Sequence, residues 1–120
     1  NNILSNSAKV GETQIVLYDL KDYNGDMKKY ADKFRNEVKN NGILILSSYS
    51  SDKVSYVCSV TDSLIQELDA IEICKEIGVK INGGGGGKSH LATAGGKNND
   101  DTEMVFEFIF EYIESKLMKG

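Results

Sequence analysis

The chain contains a single histidine and two cysteines among its 120 residues. One histidine excludes a two-histidine metal site. Cys58 and Cys74 lie too far apart for a CxxC zinc or redox motif. A Cys–His or Ser–His nucleophilic pair would have to use His90, and nothing near it marks a nucleophile elbow. The sequence therefore assigns no catalytic residue and no metal ligand. It also lacks any apolar run approaching the ~18 residues of a membrane span, so no membrane partner is expected. Residues 1–9 have neither a basic cluster nor an apolar core and do not form a secretory signal. They read as a flexible N-terminal remnant cut from a longer chain, ahead of one domain over 10–120. Cys58 and Cys74 fall inside apolar patterns, which suits two buried free thiols in a reducing, cytoplasmic setting.

Positive charge is in short supply overall. The net charge of −4 argues against a protein that coats nucleic acid by bulk electrostatics. Its distribution is uneven, however. No acid occurs between Glu76 and Asp100, while that interval carries Lys80, Lys88, Lys97 and His90. A local positive patch in an acidic chain suits one anionic ligand better than a general polyanion.

The elements follow from periodicity. Thr13–Tyr18 is β-branched and apolar and reads as a strand. Asp26 is placed to cap a helix carrying Met27, Tyr30, Ala31, Phe34 and Val38 at helical spacing, and Asn40–Gly42 end it. Ile43–Leu46 is a buried strand, and Val54, Tyr56, Cys58 and Val60 alternate as a second. Asp62 and Ser63 start a helix through Leu64, Leu68, Ile71, Cys74 and Ile77, with a break expected near Asp69 and a stop at Gly78. Val79–Ile81 reads as a short extended piece. Asp101–Met118 is a strong helix whose apolar arc is far wider than the ~100° that a surface helix needs. It must be central to the core or pack its second face on another domain or subunit. The fold class is α/β, a small mixed β-sheet packed with helices, in the order strand, helix, strand, strand, helix, glycine loop, helix.

The segment Asn82–Lys97 holds the most unusual residues. Five glycines, Gly83–Gly87, run directly into Lys88, and Gly95 and Gly96 follow. Glycine weakens any regular element, so the run needs a reason. A flexible linker would mix in serine and join separate domains, yet only one further element follows. A phosphate loop, G-x-x-x-x-G-K-[ST], fits at Gly87, Lys88 and Ser89 but requires glycine where Asn82 stands. A bare backbone surface for a polynucleotide accounts for the run, the missing acids and Lys88 together. On that reading His90–Ala94 would start a helix whose N-terminus faces the same anion.

The stretch NGGGGGKSHLATAGG resembles the glycine motif of the DHH-associated domain, in the form that closes alanyl-tRNA synthetases. Gly83, Gly85, Gly86, Gly87, Lys88, Ala92, Ala94, Gly95 and Gly96 fall on matching positions. DAIEICKEI, Asp69–Ile77, resembles the family's preceding helix. Asn82 stands for the first glycine, Lys88 for the more usual Arg, Ser89 for a frequent Pro and Thr93 for a frequent Gln. The resemblance implies a non-catalytic C-terminal module of an alanine–tRNA ligase. That module would contact the outer corner of tRNA(Ala) and link the aminoacylation and editing domains. It implies RNA contacts from Asn82, Gly83, Gly84, Gly85, Gly86, Gly87, Lys88, Ser89, His90, Thr93, Gly95 and Gly96. ATP and zinc would bind elsewhere in the parent enzyme, with no cofactor in this domain. Other domains of the parent are implied partners, and some family members dimerise, here through the C-terminal helix. The related alternative is an oligonucleotide-binding accessory domain of a DHH-type phosphodiesterase or exonuclease.

Overall fold

Ile43–Leu46 is apolar at every position because both faces of its strand are covered. Ile43 and Ile45 enter one core, and Leu44 and Leu46 enter the other. The computed structural model describes residues 7–21, 25–50, 52–97 and 102–118. In it the strands β1 (Ser7–Val10), β2 (Thr13–Asp19), β3 (Gly42–Ser50), β4 (Lys53–Val60), β5 (Gly84–Lys88) and β6 (Leu91–Lys97) form one sheet in the order β1-β2-β3-β4-β6-β5. Only β2 and β3 are parallel, and the helix α1 (Lys28–Glu37) makes the crossover between them. Ala31 and Phe34 of α1 pack on Val16, Leu44, Leu46 and Val57, covering one face of the central strands. The helices α2 (Ala70–Lys80) and α3 (Thr102–Met118) cover the other face. There Ile73, Cys74, Ile77, Val105, Ile109 and Ile113 meet Ile15, Ile45, Tyr56, Cys58 and Val60.

Most of the expected elements are present, with local differences. Ser7–Lys9, expected in a flexible remnant, belong to β1 and pair with β2, while residues 1–6 lie outside the described residues. Met27, not Asp26, stands at the N-cap of α1, and Asp26 instead supports the helix start from one residue earlier, its Oδ1 accepting the Lys28 N–H at 3.0 Å. Asn41 adopts the left-handed φ of 57° that asparagine tolerates. The helix expected from Asp62 is broken as the sequence suggests. A 3-10 turn, Asp62–Leu64, comes first, and Asp69 then caps α2 by accepting the Ile71 N–H at 2.8 Å.

Gly78 does not stop α2. It sits buried inside the helix, and a Cβ there would come within 2.8 Å of the Gly84 Cα. The glycine serves helix–strand approach, not termination. Val79 and Lys80 are therefore helical, not extended. The largest correction concerns the glycine loop. Gly84–Lys88 is an edge strand, and Leu91–Lys97 is the strand beside it. No helix begins at His90. Asp101 lies outside the described residues, and α3 runs from Thr102. One side of α3 enters the core, while Phe106 and Phe110 line an open groove with Leu17, Glu103, Glu107 and Glu111. Both cysteines are free and buried, and burial, with Cys74 alongside, pushes the Cys58 thiol well up from its ordinary range. No helix among the described residues is long and apolar enough to cross a membrane.

Candidate functional site

A run of glycines looks uniform in sequence, but a strand divides it in two, because successive positions face opposite sides. Gly83, Gly85 and Gly87 have no room for a side chain. A Cβ on Gly85 would strike the Cys74 carbonyl of α2, lying 2.7 Å from its carbon. One on Gly83 would strike the Gly95 carbonyl oxygen, and one on Gly87 would lie 2.7 Å from the Ala92 Cα. Gly87 also has a φ of 145°, which side-chain-bearing residues rarely adopt. Gly96 packs in the same way, since a Cβ there would meet Ile81 Cγ1 at 2.7 Å. These four glycines let α2 and the hairpin strands approach closely.

Gly84 and Gly86 differ. A Cβ on either meets nothing within 4 Å, and neither has positive φ. Neither packing nor backbone geometry calls for glycine at these two positions. They pair with Gly95 and Thr93 of β6, which in turn pair with Ser55 and Val57 of β4. On Gly95 a Cβ would meet only the Val54 carbonyl oxygen, at 3.8 Å. Together they make a bare strip on the face of the sheet that α1 covers only in part. Lys88 lies at one end of the strip, and Lys97, in register with Lys53, at the other. All three lysines are exposed. Lys88 is in register with Leu91, so the six residues of β6 from Leu91 to Lys97, rising ~3.3 Å each, set these positive ends roughly 20 Å apart. The strip lies at the sheet's edge, so one side of β5 also offers unpaired backbone groups.

The remaining expected residues have other positions. Asn82 has φ 56° just after α2, and the Gly83 N–H donates to the Gly78 carbonyl at 2.9 Å. This is a left-handed helix cap, a place asparagine can fill in lieu of glycine. Ser89 and His90 form the turn between β5 and β6. Their carbonyls accept the Ala70 and Val60 N–H groups at 2.9 and 3.0 Å, and Ser89 Oγ donates to Asp69 Oδ2 at 3.4 Å. The turn is tied to the start of α2 and lies beyond the strip. Lys80, part of the acid-free interval, holds its Nζ 4.4 Å over the Phe108 ring, on the opposite side of the sheet. The structure thus brings together Gly84, Gly86, Lys88, Thr93 and Gly95 from the expected set. It assigns Gly83, Gly85, Gly87 and Gly96 to packing. With β5 continuing into β6, the arrangement is neither a linker nor a phosphate loop leading into a helix.

Residues 11–115 match the model of the DHHA1 domain. The chain belongs to the DHHA1 domain family. It is 34% identical over 91 residues to an alanine–tRNA ligase of Bacillus anthracis, covering 75% of this chain and 10% of that protein. It is 27% identical over 117 residues to the alanine–tRNA ligase of Pediococcus pentosaceus, covering 96% of this chain and 13% of that one. The chain thus spans about a tenth of the length of these relatives. The C-Ala domain of Aquifex aeolicus alanyl-tRNA synthetase superposes with a TM-score of 0.82 at 25% identity, covering 90% of this chain and 97% of that one. A pGpG-specific phosphodiesterase of Vibrio cholerae shares the fold over 96% of this chain and 37% of its own, with a TM-score of 0.56 at 17% identity.

In this DHHA1 domain a groove of about 510 Å³ adjoins the bare strip. Met27 and Lys28 at the start of α1, Lys53, Ser55 and Val57 of β4, and Thr93 and Gly95 of β6 line it. None of the α1 or β4 residues stood out in the sequence. They meet only because β4 lies next to β6 and α1 crosses over β3, a juxtaposition that no local pattern carries. Charge is also divided between the sides. The exposed cations Lys28, Lys29 and Lys33 lie on α1, while Glu103, Glu107 and Glu111 project from α3 on the other side.

Proposed function

We propose that this DHHA1 domain is the RNA-binding C-terminal module of an alanine–tRNA ligase. It holds the outer corner of tRNA(Ala) against the Gly84–Gly86–Thr93–Gly95 strip. One observation supports this most strongly: two glycines whose Cβ positions are open, on a face flanked by exposed lysines and free of acid from residue 77 to 97. Bare backbone lets ribose and phosphate approach closely, and Lys88 and Lys97 supply charge at the two ends. The domain performs no chemistry. It brings the aminoacylation and editing domains together on one tRNA, and ATP and zinc act elsewhere in a cytoplasmic parent enzyme. The groove beside α3 belongs to contacts with other domains of that parent.

The test is a salt titration of tRNA(Ala) binding. If Lys88 and Lys97 each neutralise one phosphate, together they account for a roughly 7- to 12-fold loss of affinity between about 50 and 200 mM salt. Lys88→Ala and Lys97→Ala should each lower the logarithmic salt slope by roughly 0.7–0.9. Lys80→Ala, on the other side, should leave the slope unchanged. Equal slopes in all three variants would remove the strip from the interface.

A further inference from the structure

We propose that the groove between the start of α1 and strands β4 and β6 is a nucleotide pocket. It takes one unstacked nucleotide of the bound RNA, with its phosphates on Lys28 and Lys53. This rests on the RNA-binding reading above and extends it to residues that the glycine motif does not include.

Three observations lead there. At about 510 Å³ the groove falls within the roughly 300–1,000 Å³ of small-ligand clefts, more depth than a smooth duplex surface needs. Gly95 lies both in its lining and in the bare strip, so a chain crossing Gly84 and Gly86 reaches the groove without leaving the sheet. Its lining combines apolar atoms of Met27 and Val57 with two exposed ammonium groups, Lys28 and Lys53. That is the pairing a base and its phosphate require. The helix start does not itself act as the anion site. The Lys28, Lys29 and Tyr30 N–H groups donate to Asp26 Oδ1, the Asp26 carbonyl and the Met27 carbonyl, at 3.0, 3.3 and 3.1 Å.

Asp26 fixes the orientation of the nucleotide. Asp26 is among the residues that line the groove, and a phosphate placed beside its carboxylate would meet a like charge. The phosphates therefore stay with the lysines and the base enters. With Oδ1 engaged by the Lys28 N–H, the carboxylate retains acceptor capacity for an amino group on the base edge. RNA-binding proteins commonly read bases splayed out in this way.

The experiment measures affinity of the 120-residue chain for a tRNA(Ala) transcript across salt, with thermal unfolding as a folding control. Lys28→Ala with Lys53→Ala should remove a further roughly 7- to 12-fold of the salt-dependent loss between about 50 and 200 mM. Ser55→Tyr puts a ring into the groove without changing charge. It should weaken binding at least about 5-fold, the low end of one base contact, and leave the salt slope unaltered. Lys33→Ala, on α1 outside the groove, should change neither. If the lysine pair lowers the slope but Ser55→Tyr binds as wild type, RNA crosses the rim and no nucleotide enters, and the pocket is wrong. If neither change matters while Gly86→Val abolishes binding, the pocket is wrong and the strip stands. If none of these variants matters, both readings fall.

Discussion

Gly85 and Gly84 are neighbours with opposite obligations. Gly85 faces α2, whose Cys74 carbonyl occupies the place of a Cβ, and Gly84 faces open space. Gly85→Ala should therefore lower stability by about 1–3 kcal/mol or more, as overpacking does when backbone must move. Gly84→Ala removes freedom only from the unfolded chain and should be neutral or stabilising by up to about 1 kcal/mol. Denaturant unfolding of the two variants checks the pair, and equal losses would mean that both glycines serve the fold. The same reasoning explains why residue 82 can be asparagine among the glycines: a left-handed helix cap demands positive φ, which asparagine tolerates.

A strand made of GGGGK has almost no intrinsic preference for its conformation. It is held from its flanks, by β6 on one side and by the backbone of α2 beneath. Asp69 joins these supports, because one oxygen caps α2 and the other accepts from Ser89 in the β5–β6 turn. Asp69→Ala should cost about 0.5–2 kcal/mol and speed amide hydrogen exchange in β5 and β6 before it does so in β3. Uniform exchange across the sheet would contradict that order. How legible each element was follows from how its residues carry information. β2, β3, β4 and α3 could be read because apolar side chains mark their periods, and the break before α2 could be read from the capping Asp69. β5 and β6 could not. A strand announces itself by alternation between faces, and glycine looks alike whether it is buried or open. Gly78 read as a helix stop for a similar reason, since propensity sees its entropy and not the strand packed against it. Within the candidate site the acid-free interval and Lys88 were visible. Lys28, Lys53 and Ser55 became neighbours of the motif only through sheet order.

At the scale of the whole molecule, the net charge of −4 conceals two sides of different character. Lysines line the strip and α1, and glutamates line α3. On the proposed RNA-binding reading, the acidic side would repel RNA and so orient it toward the strip. It also repels a second copy of itself, because a two-fold contact along the α3 groove would set Glu103, Glu107 and Glu111 near their own equivalents. Sedimentation at neutral pH and about 50 mM salt should therefore give a monomer. A dimer that weakens as salt rises would be held by attraction and would refute this argument. The central claim is that Gly84 and Gly86 are bare for a ligand and not for the fold. Gly86→Val tests it most directly, with unfolding and tRNA(Ala) affinity measured on the same preparation. Stability should equal or exceed that of wild type, since a β-branched residue suits an open strand position, while affinity should fall at least about tenfold. Unchanged affinity in a normally folded Gly86→Val protein would contradict it.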